Sequence, residues 1–519
     1  MEADMERNQR RGVPITPCKR LTSADIEGIH QASIQILHDP GILCFNEEAS
    51  QLFGEAGAKV EHRKDERHWH LRIGEKLVQK ALETVPSKIT LGAREPGNVL
   101  HLDALEPRAR FVSGSETNVW LEMKPELFVK ANDSSVREIL PVFTRRRGMV
   151  SDLCDAAHLC EHLENLDAFI RTVNIQDDDI TEENKDVNKF FASLNNTTRH
   201  VMGGLTDLRQ LKNVILIGEI IVGGREELRR NPVLSFITCI TKSPLQFVSD
   251  STQKFLEIIR EEIPVVISSS PQGGSTAPIQ EAGMVSQINA EILAGVVLSQ
   301  LAKEGAPVLY GSVPVRSRMD DLHDMYGAPE FIHYNMDCVQ MARHYRIPCY
   351  STAGVGDTGV PGIQATVEKL LSHLMMMQSG AQYIHYAFGL LERTNTFSME
   401  QAVLDNEHLG IIKKIFSEPR VSQEDIADSL SIIKKVMDSP HRLYARYSRR
   451  LAHSGEIYGG YPFESRSGKD EVLLKAHERV NEIMSLPRKH LSGEITDRIF
   501  KQVPGLLRRL NPYSMEVRI

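Results

Sequence analysis

Several large functional classes are excluded by what this sequence lacks. Its seven cysteines, at positions 18, 44, 154, 160, 239, 338 and 349, are odd in number and scattered, which does not build a disulfide framework and points to a reducing compartment. A basic surplus is missing: 61 Lys and Arg stand against 69 Asp and Glu, the wrong balance for a nucleic-acid binder. The polar start MEADMERNQRRG has no apolar signal-peptide core, and no run reads as approaching the roughly 20 apolar residues of a membrane helix. No GxGxxG follows an early strand-like run, so the usual dinucleotide companion of an open parallel sheet is absent. Hydrophobic residues still make up 41% of the chain, enough for a folded core. The expectation is a cytoplasmic globular protein with no nucleic-acid or membrane partner.

What is present is a rhythm. Short apolar runs recur at RFVSG (110–114), AFIRTV (168–173), RHVMGG (199–204), VLSFIT (233–238), PVVISSS (264–270), PVLYGS (307–312), IPCYST (347–352) and QYIHYAF (382–388). Helical patterns such as VSQINAEILAGVVLSQLAKEG fill most of the gaps. Eight strand-like units alternating with helices predict an α/β chain closed as a TIM-type (β/α)₈ barrel. The doubly wound open sheet is the structural alternative. Residues 1–20 read as a flexible polar arm, 21–105 as an N-terminal helical and β-hairpin extension, 106–398 as the barrel, and 399–519 as a C-terminal helical cap with partner contacts. Ser23, ahead of Asp25 and Glu27, suits a helix start. Between 86 and 130 the pieces VWLEM and ELFVKA read as separate short strands.

Active sites of such barrels lie at the C-terminal ends of the strands. That rule selects residues 268–274, 311–321, 351–361 and 385–389, with 203–207 and 114–120 behind them. These loops carry few charges and several aromatics, a lining suited to a small organic ligand with one charged end. Elsewhere, Cys154, His158 and His162 recur every fourth residue with Cys160 nearby, a spacing that could hold zinc. The plainer reading is a helix packed on the barrel, and no metal site is assigned.

The longer motifs resemble those of the trimethylamine methyltransferase family. Similar stretches are PQGGSTAPIQEAGMVSQINAEILAGVVLSQLAKEGAPVLYGS (271–312), YGAPE (326–330), the 354–364 loop, and SGAQYIHYAFGLLE through SMEQAVLDNEHLG (379–410). The resemblance runs from about residue 25 to 500. It implies a homo-oligomer that passes a methyl group to the Co(I) of a corrinoid (cobalamin-type) on a separate protein, in one-carbon metabolism related to methanogenesis. It also implies that the chain itself binds no cofactor tightly. Members specific for trimethylamine carry pyrrolysine in the loop that here contains Gly354, Val355, Gly356 and Asp357. The chain therefore resembles the members without pyrrolysine, which use quaternary amines such as glycine betaine.

A quaternary nitrogen has no N–H to donate and no lone pair, so aromatic faces are its partners, at about 0.5–2 kcal/mol each. Tyr350, Tyr386, Phe388, Tyr326 and Trp120 are the candidates for that cage. Arg316, and after it Arg318, is the candidate for a betaine carboxylate. His385 and Glu291 are the candidate catalytic groups. Two other readings stay open at this point: a zinc-dependent methyltransferase for another one-carbon donor, and a catalytically silent betaine-binding protein.

Overall fold

The structure is a computed structural model that describes residues 12–514 apart from 63–66, 115, 131–132, 455–456 and 466–469. Its centre is a seven-stranded parallel sheet of β2 (Phe169–Ile170), β3 (Val201–Gly203), β4 (Leu234–Thr238), β5 (Val265–Ser269), β6 (Val308–Ser312), β7 (Cys349–Thr352) and β8 (Tyr383–His385). Residues 111–112 form β1 and close it, since Phe111 bridges Ile384 and Val112 bridges Ala168, both in parallel. The Ile384 carbonyl accepts from Val112 N–H at 2.9 Å, and Asp167 N–H donates to Phe111 at 2.7 Å. The eight units of the sequence are thus eight neighbours in one ring.

A helix follows each strand: α1 (Val150–Glu161), α2 (Glu182–Asn196), α3 (Leu211–Val222), α4 (Ser249–Arg260), α5 (Glu281–Ala302), α6 (Pro329–His344), α7 (Ile363–Ser379) and α8 (Met399–Ile415). Strand side chains alternate between lumen and helices. Val112, Ala168, Ile170, Met202, Val266, Leu309, Tyr350 and Tyr383 form one buried interior cluster, whereas Phe111, Phe169, Val265, Tyr310 and Ile384 belong to the outer core.

The lumen has a floor. A hairpin of Lys88–Leu91 and Leu100–Asp103 adds Ile89, Leu91, Leu100 and Leu102 to the interior cluster. Its anchors all fall just before strands begin: Gly92 N–H donates to Pro232 at 2.9 Å, and Arg110 donates to His101 at 2.8 Å. His200 lies 2.8 Å from the Gly92 carbonyl and 2.7 Å from Ser235 Oγ. The hairpin therefore seals the N-terminal end of the barrel, leaving the C-terminal end as the mouth.

Helix α5 is long and apolar enough to cross a membrane by length and composition, which differs from the sequence reading. Nearly all of it is buried, and the reason is packing on both sides. Its inner face meets β5 and β6, and its outer face is covered by helices Ser23–His38, Glu47–Glu55 and Glu75–Thr84. A helix apolar all round is the expected solution for a fully enclosed position. The first covering helix is capped by Thr22, one residue before the expected start, with Asp25 completing the capping box.

Residues 12–20 are not a free arm: Val13 and Pro14 pair with Ala109 and Arg108, and Arg20 Nε donates to Asp337 at 2.8 Å. Residues 1–11 lie outside the described residues. The pieces VWLEM and ELFVKA merge into one strand, Val119–Lys130, paired with Asp133–Arg147 in a long ribbon. Pro125 and Pro141 face each other in that ribbon, a place where the missing N–H groups are tolerated. At the C-terminus, Val472–Met484 packs on α1 and α8, and Gly493–Gln502 packs on α3.

Burial holds His200 neutral, with its pKa pushed down to about 4 from an ordinary 6.5. The unfolded chain then binds the extra proton, so stability is full above pH 6.5 and falls as the pH drops towards 4. The expected loss is up to roughly 1.4 kcal/mol per pH unit from this group. Denaturant midpoints at pH 7.5, 6 and 5 measure it, and His200→Gln should flatten that part of the profile.

Candidate active site

The two last strands of the barrel bring rings to the mouth. Tyr350 and His385 point inward from β7 and β8, stacked at 4.0 Å between centroids. Tyr383 extends the stack below, 5.8 Å from Tyr350, and the Tyr386 ring lies 3.7 Å from that of His385. Tyr386 has φ of 68°, a left-handed conformation that costs a tyrosine about 1–3 kcal/mol. The kink turns its ring back over the barrel. Gly114 at the end of β1 makes room, since a Cβ there would stand 3.2 Å from the Tyr386 ring. Tyr326 meets Tyr386 edge-on at 6.5 Å.

His385 is neutral in this stack. Its Nδ1 lies 2.8 Å from the Ser351 carbonyl, which can only accept, so Nδ1 carries the proton and Nε2 keeps a lone pair. Nε2 is buried and has no hydrogen-bond partner among the described residues. Burial pushes the pKa down to about 3.

Two strands round the ring from Tyr386 stands a charged group that the sequence reading did not select. Arg171, one residue beyond β2, donates from Nε to Glu116 at 2.8 Å. Glu116 is shared with Lys189 at 3.8 Å, and Lys189 pairs with Asp186 at 2.9 Å. Burial raises the Glu116 carboxyl, but Arg171 and Lys189 outweigh it and bring its pKa to about 2. Cys239, beyond β4, is an exposed thiol with Ser268 and Arg171 nearby. Arg171 was hidden inside AFIRTV, an apolar run read as strand throughout. The signal was its charge at the downstream end of such a run.

The loop of Gly354, Val355, Gly356 and Asp357 is held by packing and hydrogen bonds. Val355 is buried in the main core, and a Cβ on Gly354 would stand 2.1 Å from His373 Nε2. Asp357 accepts from Tyr326 and Gly327 N–H, each at 3.0 Å, and its own N–H donates to Glu368 at 2.8 Å. Behind it, Lys369 and Asp405 form a fully buried ion pair at 3.0 Å. Lys369 also donates to the Gly354 carbonyl and to Leu390 at 3.0 Å, while Asp405 accepts from Gly389 N–H at 2.8 Å.

Other expected residues fall elsewhere. Glu291 is a correction: it is fully buried and accepts from Ser243 at 2.7 Å, Leu245 N–H at 2.9 Å, Gln287 at 3.1 Å and Ser269. A carboxylate so satisfied fixes the ends of β4 and β5 and has no capacity left for chemistry. Arg318 is a half-exposed side chain paired with Asp321 at 3.4 Å and Asp320 at 3.8 Å. Arg316 places NH1 3.2 Å from Met325 Sδ, with its Nε buried and unpartnered among the described residues. Phe388 lies in the main core. Trp120 packs on Phe397 at 5.4 Å under the Arg146 guanidinium, away from the tyrosine stack.

The cysteine and histidine helix is α1. His158 Nε2 lies 3.1 Å from the Ile483 carbonyl and docks the C-terminal helix, and burial pushes the Cys154 and Cys160 thiols up to about 12. Among the described residues, no group of three or more His, Cys, Asp or Glu could hold a metal ion.

Comparison with known proteins agrees with this architecture. The family model described as trimethylamine methyltransferase (MTTB) matches residues 2–449. A trimethylamine methyltransferase of Desulfitobacterium hafniense is 31% identical over 412 residues, 79% of this chain and 77% of that protein. One of Methanosarcina barkeri is 29% identical over 507 residues, 94% of each chain. The glycine betaine methyltransferase of Desulfitobacterium hafniense is 26% identical over 473 residues, covering 90% of this chain and 92% of its own. A match over most of the sequence, on a closed barrel with a ring-lined mouth, means that the chain belongs to the trimethylamine methyltransferase family and is a methyltransferase.

Proposed function

We propose that the protein takes a methyl group from a quaternary amine, glycine betaine or a relative, and passes it to the reduced cobalt of a corrinoid carried by a separate protein. The observation that carries this reading is the neutral stack of Tyr350, His385 and Tyr386 at the C-terminal mouth. Neutral aromatic rings suit a permanent cation, which offers no hydrogen to an acceptor and is held by the π-face instead.

The chemistry explains why so little machinery is needed. The C–N bond of a quaternary ammonium breaks with its electron pair staying on nitrogen, and a neutral tertiary amine leaves. The new bond forms with the electron pair of the reduced cobalt. No proton moves, so a histidine held neutral by burial is no handicap. The task of this chain is orientation and exclusion of water. Tyr386, placed by its strained turn and by Gly114, sets one wall; Tyr326, fixed through its backbone N–H to Asp357, sets another. The acceptor approaches from the same end, because the hairpin closes the other.

Three outcomes test this reading. With a reduced corrinoid protein and a panel of quaternary amines, at least one donor should give the alkylated-corrinoid absorbance spectrum, and silence across the panel would sink it. Tyr386→Leu should raise KM roughly 2–30-fold through loss of a cation–π face, with Tyr386→Phe close to wild type. Between pH 6 and 8, kcat/KM should show no ionisation from His385, because its proton is lost near pH 3; a profile inflection removed by His385→Asn would contradict that.

A further inference from the structure

We propose that Arg171 is the anion receptor of the site, so that the preferred donor is a quaternary amine bearing a carboxylate, its ammonium on the tyrosine stack and its carboxylate on the guanidinium. This rests on the quaternary-amine reading above and deepens it by naming both ends of the substrate.

The placement comes from strand register. Val112 sits beside Ala168, and Ile170 beside Met202, so Arg171 emerges between the ends of β1 and β3. Both flanking ends are glycine. Gly114 leaves room for the Tyr386 ring, and a Cβ on Gly204 would stand 2.9 Å from Arg171 NH2. The guanidinium and the ring therefore occupy neighbouring sectors of one mouth. Their closeness also appears in ionisation: burial chiefly raises the Tyr350 proton affinity, the neighbouring phenols add to it, and Arg171 opposes both.

The hydrogen bonding leaves one edge of the guanidinium available. Nε is taken by Glu116 at 2.8 Å. Among the described residues, no acceptor engages NH1 or NH2, and the side chain keeps 15% exposure. An arginine fixed through Nε presents its two terminal nitrogens as a planar fork, the geometry that binds a carboxylate bidentately. Glu116 would repel an incoming carboxylate if Arg171 alone faced it. Lys189 at 3.8 Å shares that charge, and Asp186 spends its own on Lys189 and on the N–H groups of Thr206 and Asp207, each at 2.8 Å. Arg316 has no comparable setting, since its NH1 rests on a thioether.

The test pairs two donors that share a trimethylammonium-type head and differ in the anion: glycine betaine and tetramethylammonium. Binding by calorimetry and methyl transfer to a reduced corrinoid protein are measured for the wild type and for Arg171→Gln, Arg171→Lys and Gly204→Ala. Arg171→Gln should weaken glycine betaine roughly 10–100-fold, the range for a lost charged hydrogen-bond pair, while tetramethylammonium changes less than about 3-fold. Arg171→Lys should recover part of the loss. Gly204→Ala, which keeps every charge and displaces the fork, should raise KM for glycine betaine selectively, so the result does not hang on the charge variants alone. Equal effects on the two ligands, no effect, a larger selective effect from Arg316→Gln, or a wild type that does not bind glycine betaine would each overturn the proposal. Arg171-dependent betaine binding without methyl transfer would uphold the receptor and refute the reaction. Transfer from tetramethylammonium with betaine binding indifferent to Arg171 would do the reverse.

Discussion

The mouth of this barrel depends on one buried ion pair. Lys369 on α7 and Asp405 on α8 are both inaccessible to solvent, 3.0 Å apart, and desolvation lowers the lysine and raises the carboxyl. Such pairs contribute little net stability against an apolar replacement, but losing one partner strands the other charge at a cost of about 3–5 kcal/mol. Their value here is positional. The ammonium gathers the carbonyls of Gly354 and Leu390, and the carboxylate takes the N–H of Gly389. The loops after β7 and β8 are thereby locked to each other. Tyr350, His385 and Tyr386 stand at the base of those two loops.

A second layer of order is built on that lock. Gly356 N–H donates to Leu390 at 3.2 Å, Arg393 N–H donates to Gly356 at 3.2 Å, and Asp357 reaches across to the backbone of Tyr326. Three successive residues, Glu392, Arg393 and Thr394, adopt positive φ, a concentration of backbone strain of the kind that persists only where its surroundings hold it. Tyr386 is strained beside them. Four of the nine non-glycine residues with positive φ among the described residues thus fall between 386 and 394, just after β8, and the eight barrel strands carry none.

How much of this could be read from the sequence follows from the physics of each part. The strands were legible because burial on both faces makes each a short apolar run, and the helices because their period shows. The mouth was legible as a region, since strand ends are where such a run stops. Individual roles were harder. Tyr350, His385, Tyr386 and Tyr326 do converge, but Phe388 and Trp120, with the same chemistry, pack into cores, because direction depends on strand parity and local kinks. Glu291 looked available in a helix and is saturated by groups about 20 to 50 residues away in sequence. Arg171 was passed over because three-dimensional adjacency to Glu116, 55 positions earlier, leaves no trace in local pattern. The ribbon was read as two pieces because Pro125 resembles a break, and only its pairing with Pro141 shows otherwise.

The hairpin beneath the barrel has a kinetic meaning. A vessel with a floor opens at one end, so whatever enters or leaves the lumen passes the ring-lined mouth. On the proposed reaction, a small donor bound at depth would be in place before a macromolecular acceptor covered the rim, and its amine product would leave only after that acceptor lifted away. Under that reading shape alone imposes the order of turnover, last in and first out.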